Sequence, residues 1–132
     1  MSEKTWNING RHFKFDFGDL ECANRYDAAC REMKRRSETV PEFESRQDLI
    51  RYYCESFFAF YDDIFGAGTA DQIFNGRYNM DLCDQVHDEF LGWVRSSIAR
   101  NDRERTARLK NRQAGNKKQR SGSGHRKKYY QN

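Results

Sequence analysis

Cys83 and His87 stand four residues apart in a segment of helical periodicity, so their side chains share one face. With Cys22 and Cys30 they could in principle surround a zinc ion. Structural zinc sites bring their ligands in close pairs such as C-x2-C, and this chain offers only one near pair. Cys83 also falls on an apolar stripe, so no metal site is expected. Carboxylates recur at Asp62-Asp63 and at Asp81, Asp84 and Asp88. General acid–base work needs one of them desolvated beside a partner. At helical spacing opposite apolar residues they read more simply as a solvated face. The histidines are His12, His87 and His125, and their spacing argues for no Ser-His or Cys-His machinery.

Gly66-Ala67-Gly68 invites a phosphate-loop reading. A P-loop requires G-x-x-x-x-G-K-[ST], and no lysine follows here. A dinucleotide fingerprint requires a third glycine and a preceding strand. Both are missing, so these glycines read as punctuation between two helices. No catalytic residue and no cofactor site is expected, and the chain reads as a non-enzyme.

Charge divides the 132 residues sharply. Residues 1–94 carry 11 Lys/Arg against 18 Asp/Glu, a net of −7, whereas residues 95–132 carry 13 against 2, a net of +11. An acidic body therefore precedes a basic tail. The candidate tail cations are Arg108, Lys110, Arg112, Lys117, Lys118, Arg120, Arg126, Lys127 and Lys128. They could neutralise phosphates, with Tyr129 and Tyr130 stacking on bases. A small nucleic-acid-binding or regulatory protein is thus the alternative reading. A solubilising tail, or one that meets an acidic protein, is the plainer one.

Seventeen of the nineteen aromatics lie in residues 1–94, so the core must form there. This places a compact hairpin-plus-helices domain at residues 1–99 and a basic helical extension at 100–132. From about Ala114 the chain is too poor in apolar area to offset ordering entropy, so its end is expected to be disordered. No run of about 18 apolar residues appears, so no membrane span is expected. "MSEKTWNING" lacks a secretory apolar segment. A cytosolic protein with four reduced cysteines is expected.

The elements that must carry these residues are legible. Trp6 and Ile8, then Phe13, Phe15 and Phe17, alternate with polar neighbours around Asn9-Gly10, a hairpin with a type I′ turn. Cys22, Ala23, Tyr26, Ala29, Cys30 and Met33 recur at three-and-four spacing, which predicts a helix capped by Asp19 or Asp16. Pro41 breaks the chain before Ser45, whose spacing to Asp48 resembles a capping box. The next helix puts Ile50, Tyr53, Cys54, Phe57, Phe58, Phe60, Tyr61, Ile64 and Phe65 in an arc of roughly 160°. That arc is wider than a single contact uses. Thr69 and Gln72 match a capping box for a short helix, and Asn79 can cap the last. There Leu82, Val86, Phe90, Val94 and Ile98 recur every four residues. The expected fold is mainly α: an N-terminal β-hairpin packed on three main helices and one short helix, with a disordered basic tail.

"FFAFYDDIFGAGTADQIFNGRYNMDLCDQVHDEF" and "NINGRHFKFDFGDLECANRYDAA" resemble the small tail assembly chaperones of long-tailed bacteriophages. The resemblance covers residues 5 to 94 and rests on the order of helix breakers and phenylalanines. It implies a non-enzymatic protein that binds the tape measure protein during tail morphogenesis. It also implies work in the bacterial cytoplasm and absence from the finished virion. Self-association along the partner is conceivable, but no heptad seam supports it. Nucleic acid remains a possible partner through the tail, and no membrane is expected. An amphipathic tape measure helix would need an apolar groove. Tyr52, Tyr53, Phe57, Phe60 and Tyr61 are the candidate anchors, although core is the weightier reading for most of them.

Overall fold

A computed structural model of the protein describes residues 4–121, with side chains as far as residue 115. The chain divides into two compact units, Met1–Ser97 and Ile98–Asn132. The first begins with a two-stranded antiparallel hairpin, β1 (Thr5–Ile8) and β2 (Arg11–Lys14), with Trp6 opposite Phe13. Asn9 and Gly10 both take positive φ, 51° and 75°, as a type I′ turn requires. The hairpin is held to the helices at its turn, where the Asn9 side-chain amide donates to the Ile73 carbonyl at 3.3 Å.

Four helices follow: α1 (Leu20–Glu38), α2 (Arg46–Phe65), α3 (Thr69–Phe74) and α4 (Met80–Ser121). The expected fold class is borne out. Asp19 caps α1 by accepting the Cys22 N–H, while Asp16 turns to the Gly18 N–H. Ser45 caps α2 through the Asp48 N–H, and Asn79 accepts the Leu82 N–H at the start of α4.

The capping box expected at Thr69 and Gln72 does not form. Left-handed Gly68 precedes α3, and the Thr69 hydroxyl donates back to the Gly66 carbonyl at 2.7 Å. The Gln72 N–H goes to the Gly68 carbonyl at 3.3 Å, and Asp62 Oδ1 of α2 takes the Ala70 N–H at 2.8 Å. Gly66 ends α2 with its N–H on the Asp62 carbonyl, so Gly66-Ala67-Gly68 closes one helix onto the next. This turn leaves Asp62 half-buried, whereas Asp63 is exposed.

Rings fill the core. Trp6 stacks on Tyr61 and Phe65 with centroids 5.6 and 5.9 Å apart, and meets Phe90 edge-on at 5.0 Å. Offset and edge contacts of this kind add to area burial. Helix α2 packs on α1 and α3, and its Phe60 and Tyr61 reach Phe90 and His87 of α4. Within Met1–Ser97 the buried stripe of α4 runs through Cys83, Val86, Phe90, Val94 and Ser97. The sequence pattern assigned the last place to Ile98, which is 37% exposed. Strict four-residue spacing drifts by about 40° per step on a helix of 3.6 residues per turn, so a three-residue step to Ser97 restores the seam.

Helix α4 continues to Ser121, past the Ala114 boundary suggested by composition. Of the end expected to be disordered from about Ala114, residues 122–132 lie outside the described residues. All four cysteines are free, with Cys54 and Cys83 fully buried. Among the described residues no helix is long and apolar enough to cross a membrane.

Candidate functional site

Helices α1 and α2 are joined by a short loop through Pro41, so they lie against each other over part of their length. Where the end of α1 leaves the start of α2 uncovered, a groove of about 250 Å³ remains. Met33, Arg36 and Ser37 of α1, with Val40 just beyond it, form one wall. Leu49, Tyr52, Tyr53, Ser56 and Phe57 of α2 form the other. Both sets recur at three-and-four spacing, so each wall is one helix face.

The polar groups of the walls are largely engaged within the protein. Ser37 Oγ donates to the Lys34 carbonyl at 2.7 Å, and Ser56 Oγ to the Tyr52 carbonyl at 2.9 Å. The Tyr52 hydroxyl crosses to the Arg36 carbonyl at 3.0 Å, tying the two helices. The Arg36 guanidinium lies over the Tyr52 ring, 5.9 Å from its centroid. Phe43 in the loop packs on the same ring at 5.5 Å. Arg36 Nε is buried with no hydrogen bond, although it lies 3.4 Å from the Glu32 carboxylate. The separation suits an ion pair, and no hydrogen bond forms.

Tyr53 sets the far edge. Its hydroxyl donates to Asp84 of α4 at 2.5 Å, and its ring meets Phe57 at 5.2 Å. The bond to the Asp84 carboxylate, with lesser help from burial, pushes the Tyr53 hydroxyl up to about 12. Phe57 turns its other side to His87 at 5.2 Å. The cavity is smaller than the roughly 300–1,000 Å³ usual for cofactor sites. An apolar cleft of this size between two helices suits a few protruding side chains.

Three of the five expected anchors, Tyr52, Tyr53 and Phe57, stand on the groove. Phe60 and Tyr61 do not. They are 3% and 0% exposed, because α4 and the hairpin cover the C-terminal half of α2. The Tyr61 hydroxyl pairs with His87 Nδ1 at 3.0 Å, and burial pushes its ionisation well up. Burial first of all holds His87 below its usual value, against the pull of Asp88 and Asp84. The two side chains thus form a neutral core bond. Met33 was legible only as part of an apolar stripe. Val40 and Leu49 carried no signal, because nothing local says that a loop residue and a helix start will meet.

Arg108, Lys110 and Arg112 are exposed on α4. Lys117, Lys118 and Arg120 have side chains outside the described residues, and Arg126, Lys127, Lys128, Tyr129 and Tyr130 lie outside them altogether. Among the described residues no three His, Cys, Asp or Glu side chains gather as metal ligands.

A protein-family model matches residues 9–127, from the hairpin turn to beyond the end of α4. The chain belongs to DUF6673, a family of unknown function. The DUF6673 match spans every residue of the groove and all described cations of the extension. Neither the curated proteins nor the solved structures include a match.

Proposed function

We propose that this protein is a non-enzymatic tail assembly chaperone that holds an amphipathic helix of a phage tape measure protein. Its place of action would be the bacterial cytoplasm, before the tail closes. The observation that carries the reading is the largely apolar groove between α1 and α2, lined by Tyr52, Tyr53 and Phe57. The resemblance in the order of breakers and phenylalanines supports the same role and names the partner.

The physical logic is direct. A long helical partner with an apolar stripe aggregates unless the stripe is covered. A groove between two helices accepts side chains spaced at i, i+3 or i+4, and i+7. Aromatic walls give large contact area at low entropic cost. Val40 on the rim is 52% exposed, so it can change without disturbing the core.

Co-expression with the tape measure protein of the same genome tests the reading. Val40→Asp and Met33→Asp should each abolish co-purification while circular dichroism stays native. Co-purification at wild-type levels by both variants would contradict the groove.

A further inference from the structure

The unit Ile98–Asn132 differs in kind from the body. Residues 98–121 carry nine Lys/Arg against two Asp/Glu. From Ala99 to Ser121 the sole large apolar residue is Leu109, and it is 59% exposed. Arg103, Arg105, Arg108, Lys110 and Arg112 are all exposed on one continuous helix.

Their register has a pattern. At about 100° per residue, Arg105, Arg108 and Arg112 fall on one flank of the helix, and Arg103 and Lys110 on the opposite flank. Two opposed rows of cations are poorly suited to one flat acidic surface. They match a helix with phosphates on both sides. The major groove of duplex DNA is about 12 Å wide, and a helix with its side chains is about 10–12 Å across. A protein groove would need apolar anchors at i, i+3 or i+4 and i+7, and the extension has none beyond Leu109. A membrane surface would need a face of Trp, Phe or Leu, which is also missing. Arg108 and Arg112 repel each other at i, i+4, and a polyanion would relieve that repulsion.

We propose that Ile98–Ser121 is a nucleic-acid-binding arm whose two cationic flanks straddle the phosphodiester backbones of a duplex. The arm holds phosphates without reading bases. This inference does not depend on the chaperone reading, since it uses none of the groove residues.

The test uses the full chain, with fluorescent 30-bp duplex DNA of arbitrary sequence and a duplex RNA of matched sequence. Each phosphate contact contributes about −0.9 to the slope of log affinity against log salt. Five flanking cations therefore give a slope of about −4 to −5 on DNA between 50 and 200 mM salt. Gln at Arg103, Arg105, Arg108, Lys110 and Arg112 together should weaken binding by at least about tenfold at 100 mM salt and flatten the slope. Lys at the four arginines should keep binding within a few-fold, because phosphate contacts need charge rather than the guanidinium fork. Gln and Lys are good helix formers, and circular dichroism checks that the helix persists. DNA preference supports insertion in the major groove. RNA preference would contradict the straddled groove, because the major groove of A-form RNA is too narrow to admit a helix. Three results would overturn the arm: no salt-dependent binding to either duplex, equal binding by the Gln variant, or salt-sensitive self-association of the chain with no duplex bound.

Discussion

In the C-terminal half of α2, Phe60 and Tyr61 are sealed by Trp6, Phe74 and Phe90, and Ile64 is fully buried. In the N-terminal half, Tyr52, Tyr53 and Phe57 have the same chemistry but stay half-buried along the groove. One helix thus serves two purposes with one residue type. The difference lies in the neighbours. The hairpin, α3 and α4 cover one half, while α1 ends at Glu38 and leaves the other partly open. Aromatic density alone therefore does not identify a binding face. An aromatic row that the rest of the body leaves half-covered does.

Substitutions can break this contrast or sharpen it. The largest effect is expected for Tyr61→Ala, which removes a fully buried ring stacked on Trp6 and leaves His87 without its partner. A loss of about 3–5 kcal/mol in urea unfolding is expected. A loss below about 1 kcal/mol would mean that the C-terminal half is not the core. Asp62→Ala comes next. It strips the acceptor from the Ala70 N–H at the start of α3 and should cost about 1 kcal/mol. For a body of this size that is a fall of about 4–8 °C in Tm, and Asp62→Asn should recover most of it.

Tyr53→Phe is smaller. It removes the bond to Asp84 near solvent, for an expected cost of about 0.5–1 kcal/mol. Its signature is in the pH dependence. Because the folded hydroxyl titrates near 12 and an unfolded tyrosine near 10, the bond contributes fully below pH 10. That contribution is lost as pH rises through 12. Tyr26, pushed up to about 12 chiefly by burial, shares this alkaline limb. Tyr53→Phe should therefore show a shallower loss of stability between pH 10 and 12, read by thermal melts. An unchanged limb would remove Tyr53 from the account.

Local signals in the sequence were reliable where the chemistry was local. Asn9-Gly10 turns through its own positive φ angles, Asp19, Ser45 and Asn79 each accept a backbone N–H three residues on, and each stands where the pattern put it. Thr69 failed because α3 begins one residue earlier: left-handed Gly68 is its N-cap, and the Gln72 N–H that the box would use goes to the Gly68 carbonyl. Ile98 failed because the spacing was counted in whole residues rather than in degrees of helix. Half of the groove was readable as an over-wide aromatic arc on α2. The other half, Met33 and Val40, became visible only when the tertiary packing set α1 beside it.

The smallest stability effect is expected at Val40, within about 0.5 kcal/mol for a change to Asp, because the residue is largely exposed. This position therefore reads binding with little interference from folding. A photo-crosslinking amino acid at residue 40, compared with the same group at exposed Asp63 away from the groove, is the most direct measurement. With the tape measure protein co-expressed, a crosslink is expected from residue 40 and none from residue 63. Equal crosslinking from both positions, or crosslinking from residue 63 alone, would contradict the groove as the docking site.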